Sequence, residues 1–242
     1  MIDTLTALLE SWGVNKAAEQ ISFLFAPDTI PFAIWETLYA PFLATVFAYV
    51  IGLPLGILLV TGEQNGIRPL PKGFMTALNT VINLLRSIPF LILMILVFPL
   101  SRLILGTAIG TVATIVPLTV AAAPYVARLV EASLREMDRG VIEAAQSMGC
   151  STWQIITRVM LPESVPSLVT NFTLAITTIL GYTAMSGAMG GGGLGKIAIN
   201  YGYNRYKYAV LYLAVIVLVL VVQVFQSVGS KLALRLDKRI KR

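Results

Sequence analysis

Glu143-Ala144-Ala145, three residues, Gly149, nine residues, Val159, one residue and Leu161-Pro162 form one spaced string in a polar stretch between strongly apolar ones. The chemistry it offers is docking, not catalysis. Val141, Ala144, Ala145 and Met148 follow i, i+3, i+4, i+7 spacing and would make one small apolar helix face. Such a face can enter a groove on another protein, although spacing of this kind more often serves internal packing. Glu143 on the same short helix can offer a carboxylate to backbone amides or cations of a partner. Gly149 supplies a position free of Cβ restriction where a helix can stop. Ser151 with Gln154 reads as a capping box opening the next helix, which ends near Pro162.

Two other places invite a chemical reading. The run Gly187-Ala188-Met189-Gly190-Gly191-Gly192-Gly193-Leu194-Gly195-Lys196 contains Gly190-x4-Gly195-Lys196, formally a phosphate-binding loop. Ile197 stands where that loop needs Ser or Thr for a metal, and no βαβ unit surrounds it. A close backbone approach that breaks a span is the reading left to these glycines. Arg86, in Leu85-Arg86-Ser87-Ile88-Pro89-Phe90, falls inside an apolar run, where a charge faces protein or a watery cavity, or snorkels to the surface. A structural contact and a gating role are both open for it. With no histidine and one cysteine, Cys150, a zinc or haem site is excluded as a working idea, and no internal disulfide can form.

The elements that must position these residues are membrane spans. The 242 residues are 57% hydrophobic and only 12% charged, against roughly 25% charged in soluble proteins; mean hydropathy is +0.81. Apolar runs lie at about 32–60, 73–100, 103–127, 165–189 and 208–229. Each exceeds the ~20 residues that cross a hydrocarbon core. The expected fold is an all-α integral membrane protein with five transmembrane helices and a loop at about 138–162 on the cytoplasmic side.

Charge orients it. With the C-terminus inside, cytoplasmic segments hold 12 of the 18 basic residues, so the positive-inside rule places the N-terminus outside and the C-terminus inside. The Glu143 loop then faces the cytoplasm. The net charge of +6 needs no nucleic acid to explain it; the 231–242 tail supplies much of the bias and can touch anionic lipid. Residues 1–31 mix Asp3, Glu10, Glu19 and Asp28 with Leu5, Leu8, Leu9 and Trp12, and read as an outer amphipathic segment rather than a cleaved signal. The membrane-spanning body is expected at 32–230. Pro54, Pro89, Pro117 and Pro124 can kink spans, and Gly52 with Gly56 can seat a neighbouring helix.

The Glu143 to Pro162 string resembles the cytoplasmic coupling loop of permease subunits in ATP-binding-cassette importers, with Val159 where that family usually has isoleucine. From about Glu36 onward, Arg86-Ser87-Ile88-Pro89-Phe90, Ile115-Val116-Pro117-Leu118-Thr119, Ala122-Ala123-Pro124, Arg128-Leu129-Val130-Glu131 and Gly181-Tyr182-Thr183-Ala184-Met185 look like the permeases of methionine importers. The resemblance implies a homodimer of five-span subunits in the bacterial inner membrane. Each subunit would dock one cytoplasmic ATPase, and a binding lipoprotein outside would deliver substrate. It implies ATPase contacts at Glu143, Ala144, Ala145, Met148, Gly149, Ser151, Trp153, Leu161 and Pro162. It also implies a substrate path near Arg86, Tyr182, Met185, Ser186 and Met189. No cofactor is expected in this chain; ATP and Mg would sit on the ATPase. The chain itself would not be an enzyme.

A secondary transporter would carry embedded carboxylates or a repeat, and no span has a deep acidic residue, Glu36 lying near an outer end. A membrane enzyme lacks paired carboxylates or a nucleophile with its base. Permeases for quaternary amines such as glycine betaine share a similar coupling loop and glycine-rich segment, and differ in cargo.

Overall fold

The structure, a computed structural model, describes residues 30–236. The amphipathic reading of residues 1–29 and the last part of the basic tail, 237–242, lie outside the described residues. Every regular element described is helical: α1 (Ile30–Thr61), α2 (Lys72–Ser87), α3 (Phe90–Leu105), α4 (Thr111–Arg135), α5 (Arg139–Ser147), α6 (Thr152–Gln154), α7 (Leu161–Glu163), α8 (Val165–Ser186), α9 (Gly193–Lys196) and α10 (Tyr208–Leu236). In lipid a helix satisfies its own backbone, so runs of Leu, Ile, Val and Ala this long have no other stable form.

Among the described residues, α1, α4, α8 and α10 are each long and apolar enough to cross a membrane. A fifth span exists if α2 and α3 count as one bent pair. The sequence reading places a single helix over 73–100. Instead the chain turns by 108° between α2 and α3. Pro89 is the cause: it lacks an N–H and pushes Ile88 out of the helical region, to φ −76°, ψ 126°. Pro54, Pro117 and Pro124 stay inside continuous helices. The third span also differs, since α4 starts at Thr111 and continues past Ala127 to Arg135.

Cα packing divides the chain into two units. The first, among described residues, takes 30–44, 90–118 and 178–224. Its core gathers Ile30, Ala33, Leu194, Ile197, Ala198, Val210 and Ala214, and Phe90 stacks on Tyr182 with ring centroids 4.5 Å apart.

The second unit takes 45–89, 119–177 and the chain from Phe225. Leu59, Met75, Ile82 and Ala127 form its apolar centre. Gly52 and Gly56 let α1 lie against α4: a Cβ on Gly52 would stand 2.7 Å from a Val126 methyl, and one on Gly56 2.6 Å from Val130. The small-residue pair therefore does seat a helix. The charged end of α4 is held by its own partners. Arg128 binds Glu131 at 2.7 Å, Asn79 at 2.8 Å and Asn83 at 2.9 Å. Arg135 binds Glu131 at 2.7 Å and also Glu63. These contacts make it possible for Glu131 to be 9% exposed without an uncompensated charge.

Candidate functional site

The loop after α4 is built by three consecutive caps. Asp138 accepts the Gly140 N–H at 2.8 Å and starts α5. At the other end Gly149 adopts φ +75°. Its N–H bonds Gln146 O at 2.9 Å, and Cys150 N–H bonds Ala145 O at 3.1 Å. This paired closure satisfies the last carbonyls and requires a residue tolerant of left-handed backbone. Ser151 then caps α6: its N–H binds Gln154 Oε1 at 2.8 Å, while its Oγ accepts the Gln154 N–H at 3.4 Å. Stop and start are thus locked within six residues.

What the caps display is apolar. Met148 is 76% exposed and Trp153 72% exposed, with Val141 and Ala144 also open. Ala145, the fourth member of the expected face, is buried against the chain itself. It anchors α5 rather than meeting a partner. The Glu143 side chain is exposed, and its carbonyl accepts from Ser147 Oγ at 2.9 Å. Leu161 is half-buried and Pro162 exposed. Between α6 and α7 the chain widens into a π-helical stretch, Ile155–Met160, in which Leu161 N–H reaches Ile156 O. Pro162 brings no N–H to the α-helical ladder next to it.

Residues expected along a path are less uniform. Arg86 lies in the last turn of α2 immediately before the bend, exposed and without an ion pair among the described residues. It belongs to the second unit, and the other four belong to the first. Tyr182 is occupied by Phe90. Ser186 is buried, its hydroxyl donating to Thr183 O at 2.8 Å and its carbonyl accepting from Gly191 N–H at 2.9 Å. Met185 is 48% exposed, and Met189 ends a 3-10 turn, half-buried.

The glycine run has a precise structural job that local sequence does not announce. Glu36 Oε2 accepts the Gly193 N–H at 2.7 Å, and its other oxygen accepts from Thr111 Oγ1. Thr37 Oγ1 accepts the Leu194 N–H at 2.9 Å. Gly110 N–H adds a bond to Gly190 O at 2.8 Å. A Cβ on Gly192 would collide with Thr111 and Glu36, so the loop has to be bare there. The start of α9 binds a carboxylate of its own chain, which leaves no phosphate cradle.

Residues 52–242 match the model of the binding-protein-dependent transport system inner membrane component family. The chain belongs to that family. The permease is 44% identical over 218 residues, 90% of its length and 96% of the relative's, to a probable D-methionine transport system permease protein from Vibrio cholerae. It is 48% identical over 205 residues, 84% of its length and 94% of the relative's, to the protein of the same description from Pasteurella multocida. Among solved structures, a chain of the inward-facing MetNI methionine ABC transporter superposes with TM-score 0.85 at 40% identity, covering 90% of the permease and 98% of that chain. A bacterial alginate importer chain matches at 18% identity and TM-score 0.72, which shows the shared fold alone. The permease is an inner-membrane component of an ABC-type importer.

Proposed function

We propose that this chain is the membrane subunit of an ATP-driven methionine importer. The observation that carries the reading is its 44% identity to a methionine permease over 96% of that protein's length. Two copies would enclose the path. Separate cytoplasmic ATPases, holding ATP and Mg, would each receive one α5, and an extracytoplasmic binding protein would present methionine. The chain contributes no hydrolytic group. Its termini lie outside and inside respectively, in keeping with the distribution of basic residues.

The mechanism is mechanical. ATP draws the ATPases together, and α5 moves with them because Met148 and Trp153 are seated in the ATPase surface while Asp138, Gly149 and Ser151 hold the loop stiff. The dimer then turns outward, accepts methionine from the binding protein, and reverts on hydrolysis. ATP shifts this equilibrium only by the difference in its affinity for the two states. Glu143 supplies the charged contact beside the apolar one.

Labelled methionine uptake into proteoliposomes containing permease, ATPase and binding protein tests the reading. ATP-dependent uptake competed by methionine and not by betaine is expected. Uptake competed only by betaine would replace the cargo, and uptake without ATP would overturn the importer class.

A further inference from the structure

Two kinds of contact hold α2 within the second unit. Met75 and Ile82 pack with Leu59 and Ala127. Asn79 and Asn83 stand at i, i+4 and so share another part of the helix surface. Asparagine is a poor residue for a helix interior, because its amide competes for backbone groups. Two of them on one face of a 16-residue helix call for a partner.

That partner is Arg128 of α4. Its Nη2 donates both protons to α2, one to Asn79 Oδ1 at 2.8 Å and one to Asn83 Oδ1 at 2.9 Å. Asn79 has to present its oxygen there, since its Nδ2 donates to Met75 O at 2.8 Å. Nη1 donates to Glu131 Oε2 at 2.7 Å. The Arg128 Nε is buried and has no hydrogen-bond partner among the described residues.

The set of the guanidinium shows what it is placed for. A guanidinium that serves to neutralise a carboxylate turns two N–H groups of its planar fork toward it. Arg135 does so: its Nε and Nη2 both reach Glu131 Oε1, at 3.2 and 2.7 Å. Arg128 gives Glu131 a single proton, leaves Nε unpaired, and holds both asparagines instead. Glu131 keeps a cation in Arg135 whether or not Arg128 faces it, so the special contribution of Arg128 is its grip on α2.

We infer that Arg128 is a positioning residue for transport, which makes α2 follow α4, the helix that leads into the docking loop, through its bonds to Asn79 and Asn83. α4 is unbroken from Thr111 to Arg135, and Asp138 caps α5 just beyond it. Arg128 lies seven residues before the end of α4, about 10 Å along its axis, so a turn imposed at the loop reaches it through one rigid helix. On α2, Asn79, Asn83 and Arg86 fall at i, i+4, i+7 and form one polar face. The helix stops at Ser87, and Ile88 is extended. A turn of α2 therefore re-aims Arg86 and the backbone that follows it. The inference rests on the ATP-driven reading above and adds to it a link between the docking loop and α2.

Methionine imported per ATP hydrolysed, in proteoliposomes holding permease, ATPase and binding protein, tests it, because this ratio does not depend on how much of a variant is folded. Asn79→Ala with Asn83→Ala leaves Arg128, Glu131, Arg135 and Glu63 in place, and is expected to lower the ratio at least fivefold while hydrolysis continues. Asn79→Ala with Asn83→Asp returns one acceptor to Arg128 and should recover at least half of the loss. Ile82→Val thins the packing of the same helix without touching its polar face, and should keep the wild-type ratio. Should the double alanine variant not assemble, Asn83→Leu, at an exposed position, should by itself lower the ratio at least twofold. A wild-type ratio in both the double alanine variant and Asn83→Leu, or an equal loss in Ile82→Val, would overturn the role of Arg128 alone, provided that the wild-type assembly imports methionine with ATP. Absence of ATP-dependent methionine import by the wild-type assembly would overturn the proposed function, and the link with it.

Discussion

The Glu36 carboxylate and the Gly193 backbone N–H, 157 positions apart, meet at 2.7 Å. One side chain near the start of α1 thereby fixes the first residue of α9, while its second oxygen takes the Thr111 hydroxyl. Hydrogen bonds to an ionised group contribute roughly 1.5–3 kcal/mol each. Glu36→Ala is expected to lower stability by about 2–4 kcal/mol, with Glu36→Gln milder because its amide oxygen can still accept one bond. Thermal unfolding of purified permease in detergent checks this; an unchanged midpoint for the alanine variant would remove the clamp from the account.

Gly149 holds φ +75°, where a β-branched residue costs roughly 1–2 kcal/mol. Gly149→Val should loosen the end of α5, leave the spanning helices formed, and reduce recovery of the ATPase with the permease. Gly149→Asn, which tolerates that backbone, should retain it. Co-purification of the two subunits reads the difference.

Met148 and Trp153 are the two most exposed large apolar side chains of the loop. Their replacement removes little internal packing. Met148→Glu and Trp153→Ala should each stay within about 0.5 kcal/mol of wild-type stability. Both should lose ATP-dependent uptake tenfold or more. Normal uptake in both would detach this surface from coupling.

Gly56 has Val130 and the Ala127 carbonyl against it. Gly56→Leu would force α1 and α4 apart, an overpacking change that typically costs about 1–3 kcal/mol. A lower unfolding midpoint is expected, and a smaller loss for Gly56→Ala.

Local chemistry was legible before the fold. Gly149 and the Ser151–Gln154 pair act through residues at most five positions away, so their spacing is sufficient to read the caps. Hydropathy likewise marks α1, α8 and α10, whose positions follow from uninterrupted apolar runs. Long-range pairing left no such trace: Glu36 looks like an ordinary polar residue near a span end until Gly193 arrives beside it. The same holds for Arg128 and Arg135, which read as the end of a span but are carried within α4 by Glu131, Glu63 and two asparagines from α2. At Ile88-Pro89 the proline was visible, yet flanking apolar residues on both sides concealed that the helix would turn and not merely kink. Of the expected docking face, Ala145 is kept by the chain itself, because periodicity reports a face and not which of its members stay exposed.

The π-helical stretch Ile155–Met160 joins the capped loop to the base of α8. A wide turn holds a spare residue relative to an α-helix, and each α-helical residue advances the chain by about 100° around its axis. Tightening that one turn to an α-helix would rotate everything on its α5 side by about a quarter turn without unfolding either helix. A change of helix type between α6 and α7 would therefore turn the capped loop relative to the helix that follows it.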